Sequence, residues 1–160
     1  MHKIGPKRSR SGCQGAVLIE TAVGLAILCV IVFGIAEIGW SFRDASTVNT
    51  FARDYARDLS RGMTVASART YIRSNNTIGS SALLQNGLSD DTDFVAYYST
   101  DGGVTFPTSH PVGDDTSGAK NNVPVGDLIK VTITYSHSRL TGLFGNGRVP
   151  MQAVAIMVRQ

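Results

Sequence analysis

Gly15-Ala-Val-Leu-Ile-Glu20-Thr-Ala-Val-Gly-Leu-Ala-Ile-Leu-Cys-Val-Ile-Val-Phe-Gly-Ile-Ala-Glu37 starts on a glycine and runs apolar to its closing acid, with one early carboxylate at Glu20. Sixteen uncharged residues separate Glu20 from Glu37. As a helix these span roughly 24 Å, and Ala16 to Ile19 extend the apolar length past about 30 Å, enough to cross a bilayer. A carboxylate held at mid-membrane costs roughly 2.5–3.5 kcal/mol, so Glu20 near one end needs a reason.

Outward from this stretch the chain divides into unlike parts. The 160 residues leave room for one membrane segment and one modest domain. Residues 16–42 are strongly apolar, whereas 43–160 have the polar, Gly- and Thr-rich composition of an exported domain. Lys3, Lys7, Arg8 and Arg10 precede the apolar run without an acid among them and account for the whole net charge of +3. The remainder is near neutral, so the basic balance does not argue for nucleic acid. The same cluster predicts a cytoplasmic N-terminus, with the domain on the other side of the membrane.

An ordinary secretory signal has an apolar core of about 7–15 residues and a small-residue cleavage site. This run is longer and no such site closes it before Glu37, so a retained segment is expected. Two readings stand: a plain signal anchor, or a leader cut after Gly15 that leaves Ala16 as the new terminus and Glu20 as the fifth mature residue. Cys13 lies in the leader and Cys29 mid-run, out of reach of each other, so no disulfide framework is on offer. Cys29 reads as a small apolar packing residue. A lipoprotein cysteine would follow the apolar region, whereas Cys13 precedes it.

Gly15, the run Ala16 to Ile19 and Glu20 resemble the G-x-x-x-x-E processing site of type IV prepilins. More narrowly, the chain resembles the TadE-like minor pseudopilins of tight-adherence (Flp-type) pili. Phe33-Gly-Ile-Ala-Glu37-Ile-Gly-Trp-Ser-Phe42 is similar to the pattern closing that family's membrane helix, and Ala52-Arg-Asp-Tyr-Ala-Arg57 to its stem. Val131-Thr-Ile-Thr-Tyr135 and Pro150-Met-Gln-Ala-Val-Ala-Ile-Met-Val158 resemble its closing strands. Residues 62–127 match nothing in the family pattern, and Thr21 stands where an aromatic commonly follows the glutamate.

The resemblance implies a non-enzymatic pilus subunit serving surface attachment or biofilm formation. Its implied partners are a prepilin peptidase cutting between Gly15 and Ala16, other pilins or pseudopilins, the inner-membrane assembly platform and membrane lipid. Localisation would be the bacterial inner membrane, single-pass and N-terminus cytoplasmic, with the domain extracytoplasmic and, on assembly, in the extracellular pilus. Glu20 would meet the N-terminal ammonium of a neighbouring subunit, an attraction far stronger in a low-dielectric layer than in water. The plainer role for Glu20 is to sit at headgroup level, favoured by the dipole of the helix N-terminus. Glu37 and Trp40 are candidates for the membrane boundary or for assembly, and Trp40 and Phe42 suit that boundary. The alternative function is a signal-anchored extracytoplasmic binding or sensor module.

The expected fold is α+β and pilin-like: a leader over 1–15, a membrane helix over 16–42, and a domain over 43–160. In that domain an amphipathic stem over 43–61 packs on a small antiparallel sheet spanning about 93–160. Val48, Phe51, Ala52, Tyr55, Ala56 and Leu59 recur at helical spacing, while Arg53, Asp54, Arg57, Asp58 and Arg61 fall mainly on the other face. Gly62 is a stop signal. A short helix is expected over 65–73 with Thr64 as cap, then polar loops around a turn at 82–85.

Phe94 to Tyr98 reads as a strand leading into Ser99-x-Asp101-x-Gly103-x-Thr105, which resembles the Asp-box turn and reads as a β-hairpin. One copy without a repeat excludes a propeller. Residues 107–124 read as a long functional or mobile loop. Its acids, with Asp90, Asp91, Asp93 and Asp101, lack EF-hand spacing, so solvated turns outweigh calcium. His110 and His137 have no ligand set around them. Residues 127–135 and 149–158 alternate as strands, joined by a Gly-rich link over 140–147. No nucleophile–base pair, phosphate loop, dinucleotide fingerprint or metal spacing is present, which argues against an enzyme and against a cofactor or metal.

Overall fold

A computed structural model describes residues 11–75, 94–138 and 148–160. The expected turn at 82–85, the acids Asp90, Asp91 and Asp93, and the link at 140–147 lie outside these residues. The chain divides into two compact units, Met1–Gly39 and Trp40–Gln160. The elements are α1 (Ser11–Ser60), α2 (Val65–Asn75), β1 (Phe94–Ser99), β2 (Leu128–Ser138) and β3 (Arg148–Val158). The architecture is α+β, as expected from the change of period along the sequence.

In the second unit the stem buries the predicted stripe. Val48, Phe51, Ala52, Tyr55, Ala56 and Leu59 are all in the core. Arg53, Asp54, Arg57 and Arg61 are exposed, but Asp58 is not: it is only 5% exposed. Its position next to Leu59 draws it to the edge of the buried face. Tyr55 meets Phe94 of β1 edge-to-face with ring centroids 5.5 Å apart, joining stem to sheet.

The sheet is antiparallel in the order β1-β2-β3. Register places Phe94 opposite Ile133 and Ile133 opposite Ala153, with Ala96, Val131 and Ala155 forming the next row. These rows face the stem, which gives β2 its alternating burial at Ile129, Val131, Ile133 and Tyr135. The outer edge of β1 does not pair with a strand formed by Val104 to Phe106, as the expected hairpin required. The chain first makes an Asp-box turn, then returns at residues 110–112. There Tyr98 N donates to His110 O (3.0 Å) and Val112 N to Ala96 O (2.9 Å), while the His110 ring stacks on Tyr98. Pro111, lacking an N–H, sits at the bridge opposite Tyr97 and limits further pairing.

Helix α1 ends in a Schellman arrangement. Gly62, at φ +89°, donates to Leu59 O, and Met63 N donates to Asp58 O. Asn121 then takes up further carbonyls: its amide donates to Leu59 O (2.7 Å) and Met63 O (3.0 Å). Arg159 donates from Nη1 to Ser60 O and from Nε to Asn121 Oδ1. A cation here also complements the negative end of the helix dipole. The loop over 107–124 is therefore a clamp: an Asp114–Asn121 bridge closes it, and Val112 and Val123 are in the core.

Candidate membrane and assembly site

In the first unit, apolar side chains from Val17 to Ile38 are exposed around the whole circumference of α1. A soluble helix hides at least one face; this one hides none of its most apolar window. Such a surface is stable against lipid or other apolar helices, and the helix is long and apolar enough to cross a membrane. The one hydroxyl early in the run is satisfied within the helix, because Thr21 Oγ1 donates to Val17 O at 2.7 Å. That removes most of its cost in a medium without water. The helix fits a single-pass membrane anchor.

The residues expected to matter are distributed along this surface. Gly15, Ala16 and Glu20 are exposed, and open space surrounds the position a Cβ would take on Gly15. Ala16 and Glu20 are i and i+4, on one face and about 6 Å apart along the axis. Glu37, 7% exposed, lies about 25 Å further along the helix from Glu20. The two acids thus mark separate levels rather than one site. Trp40 is half-exposed and carries the Arg43 guanidinium over its ring, 5.7 Å from the centroid. Phe42 beside it is among the most exposed apolar residues.

In the second unit, Asp101, Asp114 and Asp115 are taken up by turns and a helix cap. Asp101 accepts from Ser99 Oγ, Thr105 N and Thr105 Oγ1, and these bonds hold its carboxyl well below the usual carboxylate range. Asp114 accepts from Val65 N and shares the N-terminus of α2 with Thr64, whose hydroxyl accepts from Ser67 N. The Ser117 hydroxyl, with neighbouring amides, likewise lowers Asp115. Among the described residues, no three His, Cys, Asp or Glu side chains group as metal ligands.

Sequence reasoning missed Asn121 and Arg159 as the residues that fix the stem. Parity held the signal for the latter: Arg159 continues the inward series of Ala153, Ala155 and Met157, so its side chain had to meet the stem. Nothing in the sequence around Asn121 marked it.

No curated protein and no solved structure matches the chain. Residues 15–57, which hold the exposed apolar surface and most of the stem's buried stripe, match the family model described as TadE-like protein, so the chain is similar to that family over this segment.

Proposed function

We propose that the chain is a minor pilin or pseudopilin of a tight-adherence pilus. The leader over 1–15 is removed after Gly15 by a prepilin peptidase, and residues 16–42 hold the subunit in the inner membrane with domain 43–160 outside. Glu20 then meets the N-terminal ammonium of a neighbouring subunit as the helix leaves lipid for the filament. Glu37 and Trp40 set the far boundary of the membrane segment or contact neighbouring pilins there. The subunit has a structural part in attachment rather than a catalytic one.

The observation that carries the reading is the all-round exposure of the apolar helix within the TadE-like segment, with Glu20 five residues past Gly15. An anchor for an independent sensor needs the apolar length but not that glutamate. Intact-mass and N-terminal analysis of the membrane form from cells that make the pilus tests it. A mature terminus at Ala16 is expected; a terminus at Met1 overturns the processing step and favours the signal-anchored binding module.

A further inference from the structure

The two edges of the sheet are finished differently. The outer edge of β1 is closed by residues 110–112, which bond to Tyr98 N and Ala96 O. Ala96 and Tyr98 therefore turn their backbone polar groups away from β2, and alternation fixes the rest of the ladder. Val131, opposite Ala96, is turned toward β3, and Ala155, opposite Val131, is turned back toward β2. Gln152, Val154, Ile156 and Val158 consequently point their N–H and C=O groups to the far edge of β3, where no further strand pairs among the described residues. The open stretch has defined ends: Pro150 has no N–H, and Gln160 N is bonded to Ser60 O.

We propose that this edge of β3 is the docking site for an extended strand of a different pilus subunit, which joins the sheet as a fourth strand. The proposal rests on the pilus-subunit reading and adds the contact through which the neighbour is held. Proteins ordinarily guard a free edge with lysines, bulges or a short strand. β3 has none of these: it is 11 residues long, in unbroken register with β2, and uncharged from Val149 to Val158. Donors and acceptors at alternate residues along one line match the backbone of another strand. Val154, Ile156 and Val158 are half-exposed on the outer face beside that edge, so an incoming strand with uncharged β-branched side chains gains apolar cross-strand neighbours. A second copy fits poorly. Its β1 edge is closed around Pro111. A two-fold pairing of β3 with β3 is antiparallel and reverses the stems, because stem and β3 run the same way: Tyr55 lies at the row of Phe94 and Ala153, and Ser60 at Gln160. Subunits anchored in one bilayer share one polarity.

Amide hydrogen exchange reads this edge in the full-length chain. In dilute detergent micelles the amides of Val154, Ile156 and Val158 should exchange fast, between slow ones at Ala153, Ala155 and Met157. In membranes of cells that make the pilus, exchange at the three edge amides should slow by about ten-fold or more, as new ladder bonds form. Ile156→Lys places a charge on the exposed outer face, and Val154→Pro removes a donor that the fold does not use. Both should abolish the slowing at Val158 while the amides of β2 stay slow. A photo-crosslinking side chain at position 154 should join the chain to a strand of another pilus subunit in those membranes. Slow edge amides in micelles, no slowing in the membranes, slowing that survives both variants, or crosslinks confined to second copies overturn the proposal. N-terminal analysis of the same material separates it from the pilus-subunit reading. An Ala16 terminus with an unprotected edge rejects the strand contact alone, and a Met1 terminus rejects the reading on which it rests.

Discussion

Arg159, one residue from the end of the sequence, donates from its guanidinium to the carbonyl of Ser60, the last residue of α1, across 3.1 Å. The residues are far apart in sequence, and their contact closes the domain by fixing the end of the stem to the strand that completes the sheet. Gln160 N donates to the same carbonyl at 2.9 Å. The orphan carbonyls that every helix leaves at its C-terminus are here taken up by distant groups.

Arg159→Ala should therefore cost about 2 kcal/mol, or roughly 8 °C in melting temperature, as expected for losing charge-assisted bonds to a buried acceptor. Gly62→Ala should be comparably harmful for two separable reasons. Its φ of +89° disfavours any Cβ, and a Cβ there would lie 2.3 Å from Arg159 Nη2. Arg159→Ala removes the second cause and leaves the first. The double variant should consequently be more stable than the sum of the two losses indicates. Thermal melts of the full-length chain in detergent micelles measure the cycle; strict additivity rejects the contact.

A second prediction concerns Asp58. Burial pushes its carboxyl up from the usual range, and Asp54 adds to this, while Arg61 and Arg57 act in the opposite direction. One oxygen, Oδ2, is buried without a hydrogen-bond partner. A carboxyl whose folded pKa is raised disfavours the folded state when ionised, and that penalty is relieved as pH falls through the folded value toward the ordinary aspartate value of 3.8. Asp58→Asn should raise the melting temperature at neutral pH. Its advantage should shrink as pH falls toward about 4. An advantage that stays constant over that window, or a loss of stability at neutral pH, rejects the assignment.

The division between what the sequence disclosed and what it withheld has a physical basis. The stem stripe, the Gly62 stop, the Thr64 cap and the alternation of β2 each rest on contacts within a few residues, so periodicity and local chemistry exposed them. The return at His110 to Val112 and the Asn121 clamp depend on where the chain goes after a long loop, which spacing does not encode. Asp58 shows the same limit on a small scale. A helical wheel placed it with the charged face, but one step of the wheel separates the stripe's edge from solvent, and packing decided that it lies inside.

Asp101 should show the opposite pH behaviour to Asp58. Its depressed carboxyl contributes stability that is present above the unfolded value near 3.8 and is lost as pH falls through the folded value. Asp101→Asn keeps the size but loses acceptor strength toward the Thr105 N and Oγ1 donors. The turn should loosen, seen as faster amide hydrogen exchange at Gly103 and Thr105, while the α1 amides stay protected because the stem is held elsewhere. Unchanged exchange at both turn amides would show that backbone pairing alone holds this turn.

The final prediction separates insertion from assembly at Glu20. In the plain reading the carboxylate sits at headgroup level, and replacing it affects neither localisation nor polymer formation. In the proposed reading it neutralises the ammonium of a neighbour inside an apolar filament, where leaving one charge unpaired is far more costly than in water. Glu20→Gln retains size and helix propensity, and removing a charge only eases entry into the bilayer. The variant should fractionate with membranes like the parent yet be depleted from sheared pili. N-terminal analysis of the Glu20→Gln membrane form shows whether the defect precedes or follows cleavage after Gly15: an Ala16 terminus with depleted pili places the role in assembly, and an uncut terminus places it in processing. Full incorporation of Glu20→Gln into pili rejects both roles and leaves the carboxylate as a headgroup-level residue.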